Sequence, residues 1–150
     1  MDRKIIYIDM DNVIVDFPSA FSKLSKDILL KYKGDEDEIP GIFSLMKPIP
    51  NAIDSVKFLS KYFEIYLLST APWENETAWS DKICWVKKYL PKVAYKKLIL
   101  SHNKHLNKGH YLIDDRLTNG ADRFKGEHIH FGKSPFENWE KVIYFLTEKE

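Results

Sequence analysis

The chain is patterned as short apolar runs separated by segments whose apolar residues recur every three or four positions. Residues 5–8, 64–68, 97–100, 110–113 and 128–131 have strand length and predict buried strands. Between them, Ile53, Val56, Leu59 and Phe63 predict an amphipathic helix, with Asn51 as its cap and Asp54 in its first turn. Trp79, Ile83, Val86 and Leu90 fall at i, i+4, i+7 and i+11 and predict a further helix, stopped by Pro91. Cys84, among these apolar neighbours, is expected to be a small core residue. Ser134-Pro135-Phe136-Glu137 combines a cap, a proline at the first position and a capping-box Glu. A last helix is expected to start there and to bury Phe136, Trp139, Ile143 and Leu146.

Strands that alternate with helices predict an α/β fold with a parallel sheet covered on both faces. One segment breaks the alternation. Phe17, Phe21, Leu24 and Ile28 predict a helix, residues 34–40 a solvated polar loop, and Ile42, Phe43, Leu45 and Met46 a short apolar patch. About thirty residues therefore separate the first strand from the next regular unit, more than an ordinary βα connection needs. Residues 17–47 are expected to form a small helical cap insert, leaving residues 1–16 and 48–150 as the core domain.

The strand ends carry the chemistry. In open parallel sheets the functional crevice lies beyond the carboxyl ends of the strands. Here the first strand ends in Asp9 and Asp11, the second in Ser69 and Thr70, and the fourth in Asp114 and Asp115, with Lys104 just past the third. Carboxylates this close repel one another unless a cation or shared proton intervenes, and an all-oxygen cluster suits a hard ion such as Mg²⁺. Read alone, Asp9 and Asp11 could equally cap a helix; collected with the other groups at one sheet edge, they point to catalysis. His102, His105, His110, His128 and His130 lack the spacing of a transition-metal site and are assigned to local hydrogen bonding.

Composition narrows the partners. A formal net charge of +1 over 150 residues offers no electrostatic footprint for polymeric nucleic acid or an anionic membrane. No apolar run approaches the roughly 18 residues of a membrane span, and no signal-peptide pattern follows Met1, so a cytoplasmic location is expected. The single cysteine allows no internal disulfide.

The order of these groups resembles the four motifs of the haloacid dehalogenase (HAD) superfamily of phosphotransferases: D-x-D, then Ser/Thr, then Lys, then Asp-Asp. The octad from Asp9 to Asp16 (DMDNVIVD), Ser69-Thr70-Ala71-Pro72, Trp85-Val86-Lys87-Lys88-Tyr89-Leu90 and Leu112-Ile113-Asp114-Asp115-Arg116 are more closely similar to the 5′(3′)-deoxyribonucleotidase family. This resemblance spans nearly the whole chain, which is shorter than the vertebrate members, partly in the insert. It implies a three-layer Rossmann-like sheet of the HAD-like type. It also implies a Mg²⁺-dependent phosphomonoesterase that hydrolyses deoxyribonucleoside monophosphates through an aspartyl-phosphate.

In the roles so implied, Asp9 is the nucleophile and Asp11 the proton donor and acceptor. Mg²⁺ is held by Asp9, the backbone carbonyl of Asp11 and Asp114, while Asp115 orients a ligand or the lysine from behind. Thr70 or Ser69 binds the phosphoryl oxygens; the family's motif favours Thr70 and a strict strand-end count favours Ser69. Lys104, ten residues before Asp114, is the phosphate-binding lysine by family spacing, with Lys108 as its rival. Arg116 is read as a structural brace. Phe17, Phe21, Phe43 and Trp73 either stack on a nucleobase or pack the insert onto the core. Two other functions are weighed: a phosphatase for another small phosphomonoester, and a receiver-like phospho-accepting module, whose motif order differs from this one.

Overall fold

The run Ile5-Ile6-Tyr7-Ile8 becomes the central strand of the molecule, β1 (Ile5–Ile8). Its continuous apolar character follows from that place, since a central strand of a parallel sheet is covered on both faces. The computed structural model describes residues 2–148. Just beyond β1, β2 (Val15–Asp16) and β3 (Lys47–Pro48) pair antiparallel and tie the two ends of the intervening segment together. Then come β4 (Glu64–Ser69), β5 (Leu98–Leu100), β6 (Tyr111–Asp114) and β7 (Glu127–His130). The main sheet is five-stranded in the order β5-β4-β1-β6-β7, with parallel pairing throughout. This is the expected α/β architecture, with strands at the anticipated places.

Ile6 and Ile8 of β1 join Ile65, Leu67, Ile113 and Ile129 in the larger hydrophobic cluster. Val56 and Leu59 of helix α2 (Ala52–Leu59), Trp85 and Val86 of α3 (Thr77–Tyr89) and Trp139, Val142 and Leu146 of α4 (Trp139–Thr147) belong to the same cluster. Tyr7, Leu68 and Leu112, displaced by one residue along their strands, form a smaller cluster with Ala121 and Phe124. One cluster thus draws in long helices, and the other is closed by a short 3₁₀ turn (Ala121–Arg123). Residues 17–47 have no separate core: Ala20, Ile39, Ile42, Phe43 and Met46 are part of the larger cluster.

Several local expectations are corrected. The helix expected through Phe17, Phe21, Leu24 and Ile28 divides into a 3₁₀ helix (Phe17–Lys23) and the short α1 (Lys26–Lys31). Leu24 is extended at the break, and the Ser25 hydroxyl restarts the chain by accepting from Ile28 N at 3.2 Å. Residues 34–40 are solvated as expected at Gly34, Asp35, Asp37 and Pro40, but Ile39 is buried and Asn75 Nδ2 pins the segment by donating to the Asp37 and Ile39 carbonyls at 2.9 and 3.0 Å. Asn51 adopts a left-handed conformation at φ +70° and makes no side-chain cap. The last helix begins at Trp139 under an Asn138 cap rather than at Ser134, since residues 132–136 close a turn of their own. On α3 the buried positions are Ala78, Lys82, Trp85 and Val86, leaving Trp79 and Ile83 on the surface. Cys84 is exposed there too, not in the core. Contact with the 3₁₀ helix Ile42–Leu45 selects that face, and Trp85 Nε1 donates to Met46 O at 3.1 Å across it. Among the described residues no helix is long and apolar enough to cross a membrane.

Candidate active site

The carboxyl end of β1 sets the position of both leading aspartates. Ile8 lies opposite Ile113 of β6, and Asp9 N donates to Ile113 O at 2.9 Å, so Asp9 leaves the sheet beside Asp114. The chain then folds back over Met10, whose carbonyl accepts from the amides of Val13, Ile14 and Val15 at 3.1, 2.9 and 2.9 Å. Asn12 takes the left-handed conformation that this turn requires, at φ +62°, which asparagine tolerates better than most residues. Asp11, two residues after Asp9, lines the same cavity as Asp9.

Lys104 enters from the loop after β5 and is 3% exposed. Its ammonium donates to Asp114 Oδ2 at 2.6 Å and to Asp9 Oδ1 at 3.1 Å, joining two buried carboxylates. Burial alone would lower the lysine's pKa, but the charges of Asp9 and Asp114 outweigh it and raise it. Gly120 makes the loop possible. At φ +84° it lies against His105, and a β-carbon there would stand 3.0 Å from Lys104 N. Asn119 O accepts from that same amide at 2.7 Å. Arg116 N donates to Asp114 Oδ1 at 2.9 Å, so Arg116 fixes the last acidic pair through its backbone.

One carboxylate oxygen each from Asp9, Asp114 and Asp115 lies within 4.8 Å of the others. Burial, opposed by Lys104 and reinforced by Asp114 and Asp11, pushes the Asp9 pKa up to about 6. Burial and then the charge and hydrogen bond of Asp9 push Asp115 up to about 7. Burial is the larger cause of both shifts, and repulsion between the carboxylates adds to it. A hard divalent cation fits this donor set, which is oxygen throughout.

These groups line a cavity of about 530 Å³, within the range of small-molecule sites. Asp9, Asp11, Phe17, Thr70, Trp73, Lys104, Asp114 and Asp115 all face it. Of the two candidate hydroxyls, Thr70 lies on the wall and donates to Ser101 O at 2.7 Å. Ser69 is fully buried beneath it, its hydroxyl oxygen without a hydrogen-bond partner among the described residues. Phe21 and Phe43 lie outside the cavity lining; Phe21 and Phe43 each pack edge-on against Phe17. Lys108 is exposed on the surface and stands outside the lining too.

Sequence reasoning missed two features of the wall. Residues 34–38 bring Asp35, Glu36, Asp37 and Glu38 onto it, held by Asn75. Lys82, which none of the sequence motifs contains, is buried with its ammonium 2.9 Å from Asp11 Oδ2. His102 also lines the cavity, between the rings of Trp73 and Trp79.

The family model described as 5′ nucleotidase, deoxy (Pyrimidine), cytosolic type C protein matches residues 25–142. The chain belongs to this nucleotidase family. A protein of Vibrio phage KVP40, provisionally named a 5′(3′)-deoxyribonucleotidase, is 55% identical over 148 residues, spanning 99% of this chain and 87% of that one. The 5′(3′)-deoxyribonucleotidase of Bacillus subtilis is 26% identical over 168 residues, spanning 99% and 96%. Among solved structures, a magnesium-bound protein of Bacillus subtilis provisionally assigned as a HAD-hydrolase superposes with a TM-score of 0.62 at 13% identity. That match covers 98% of this chain and 100% of the other, and the likeness is one of fold. The resemblance read from the motifs therefore holds for both family and fold: the chain is a phosphomonoester hydrolase of the nucleotidase type, and its fold is HAD-like.

Proposed function

We propose that the chain hydrolyses deoxyribonucleoside monophosphates in a Mg²⁺-dependent reaction that passes through a phosphoryl group on Asp9. The observation that carries this reading is the buried Asp9–Lys104–Asp114 constellation on the floor of a cavity with aromatic residues on its wall. The names of its relatives support the substrate class.

Phosphomonoester cleavage needs an aligned nucleophile, neutralisation of phosphoryl charge and a proton for the leaving oxygen. Asp9 attacks phosphorus with one carboxylate oxygen, forming an Asp9 O–P bond as the ester P–O bond breaks. Lys104 holds that carboxylate in place and presents its ammonium to the phosphoryl oxygens. The Thr70 hydroxyl, a rotor on the cavity wall, turns from Ser101 O to a phosphoryl oxygen. Asp11 donates its proton to the departing oxygen, and then takes one from the water that displaces Asp9. Asp9 and Asp114, with the main-chain carbonyl of Asp11, would hold Mg²⁺, with Asp115 beside them as a further oxygen donor. When bound, Mg²⁺ lets an anionic nucleophile approach an anionic ester. Phe17 and Trp73, the latter 72% exposed at the rim, offer ring faces to a nucleobase. The segment 17–47 acts as the cap, bringing Phe17 and residues 34–38 over the site.

The test is phosphate release from a panel of deoxynucleoside, ribonucleoside and sugar monophosphates, each with Mg²⁺ and with EDTA. Preferred turnover of deoxynucleotides, abolished by EDTA, is the expected result. Equal turnover of sugar phosphates would sink the deoxynucleotide assignment, and undiminished turnover in EDTA would sink the metal dependence.

A further inference from the structure

We propose that Lys82 is a positioning residue that holds the Asp11 carboxylate for proton transfer, a role that rests on the phosphomonoesterase reading above. Lys82 projects from the middle of α3 and is only 1% exposed, although its neighbours Trp79 and Ile83 lie on the surface. An ammonium removed from water must be paired, and Asp11 Oδ2 accepts from it at 2.9 Å. The face of the Phe43 ring, 4.3 Å from the ammonium, provides a second electrostatic contact. Phe43 is itself buried and packed edge-on by Phe17 at 5.8 Å, so the ammonium has a rigid seat. Three separate stretches of chain converge on this contact: α3, the 3₁₀ helix Ile42–Leu45 and the turn after β1.

The contact divides the two oxygens of Asp11. Oδ2 is held by Lys82, while Oδ1 is buried and has no hydrogen-bond partner among the described residues. The Asp11 carboxyl passes its proton to the bridging ester oxygen as the P–O bond to the leaving group breaks. In the second step a water proton returns to Asp11 as the water oxygen bonds to phosphorus and Asp9 is released. Anchoring Oδ2 keeps the carboxyl plane fixed through both transfers. Lys104 has a different task, since its partners are Asp9 and Asp114. The two buried lysines thus serve different halves of the acidic pair that follows β1.

The test compares kcat/KM for a deoxynucleoside monophosphate with kcat/KM for p-nitrophenyl phosphate. This parameter covers the steps through loss of the leaving group. A nucleoside alkoxide departs poorly without a proton, whereas p-nitrophenolate departs readily. Lys82→Met is nearly isosteric and apolar. It is expected to lower the deoxynucleotide value about 10²-fold, the scale of general-acid catalysis, and the p-nitrophenyl value by less than about threefold. In an Asp11→Asn background the same substitution should cost less than about twofold more, because both changes act on one proton transfer. Equal losses on the two esters, no loss on either, or full additivity with Asp11→Asn would each overturn the proposal. Should Lys82→Met fail to fold by circular dichroism, Lys82→Gln carries the same comparison. Its deoxynucleotide-to-aryl ratio should fall at least about tenfold, and an unchanged ratio overturns the role. A wild-type protein inert towards both esters would instead overturn the phosphatase reading itself, before any substitution is made.

Discussion

At Asp9, burial, two neighbouring carboxylates and the Lys104 ammonium act on a single side chain. Burial is the largest influence and raises its pKa, Lys104 opposes it, and Asp114 and Asp11 add to the rise, leaving the group at about 6. Replacing it with asparagine separates its charge from its shape. The amide oxygen of Asp9→Asn can still accept from Lys104, while one negative charge leaves the cluster. The expected outcome is loss of turnover by about 10³-fold or more, the scale of losing a covalent nucleophile, with no fall in Tm. Steady-state kinetics and a thermal melt on the same preparation check both parts. Retained activity would remove Asp9 from the nucleophile's role. A steep fall in Tm would mean that the charge itself holds the site together.

At the scale of elements, the loop carrying Lys104 depends on Gly120 as well as on hydrogen bonds among its own residues. A methyl group there meets His105 and the Lys104 amide, and φ +84° disfavours any side chain. Gly120→Ala is therefore expected to displace Lys104 from Asp9 and Asp114. Stability should fall by about 1–2 kcal/mol, roughly the cost of a left-handed alanine, and kcat/KM by at least about tenfold. An unchanged kcat/KM with a lowered Tm would show that the loop adjusts without moving the ammonium. The same scale explains what the sequence made legible. The three central strands are buried on both faces and end where their apolar runs end, so Asp9, Thr70 and Asp114 could be placed at one sheet edge from pattern alone. The helical faces were not legible in that way. Which face of α3 is buried is decided by the Ile42–Leu45 turn packing against it, a contact that hides Lys82 and exposes Ile83. No periodicity in α3 records that neighbour. The acidic wall 35–38 escaped for a similar reason: it is held by Asn75, thirty-eight residues beyond Asp37, through a side-chain amide.

For the whole molecule, the acidic cluster couples folding to pH and to divalent cations, and the sign can be worked out. In the unfolded chain Asp9 and Asp115 titrate near 3.8, but in the native protein near about 6 and about 7. The native state therefore binds more protons across that window. Stability of the metal-free protein falls as pH rises from about 4 to about 7 and stays lowered above it. Asp115→Asn removes one of the two ionisations that carry this cost, set first by burial of the carboxyl and then by the Asp9 charge. In EDTA at pH 8 its Tm should exceed the wild-type value by about 2–4 °C. This corresponds to roughly 1 kcal/mol once solvent screening at this partly exposed group is allowed for. The gap should narrow as pH falls towards 4 and close below it, where the wild-type carboxyl is neutral in both states. Mg²⁺ should act in the opposite direction. A cation at a hundredfold excess over its Kd stabilises the native state by about 2.7 kcal/mol, which is about 5–10 °C for a chain of this size. At pH 8 wild type should gain that rise, whereas Asp115→Asn, with one carboxylate fewer near the ion, should gain less, so that Mg²⁺ narrows or reverses the order of the two melts. Equal Mg²⁺-induced shifts would place Asp115 outside the ion's influence. A wild-type Tm that does not fall between pH 4 and 7 in EDTA, with no gain from Asp115→Asn at pH 8, would mean that the cluster is already neutralised by Lys104 and needs no cation.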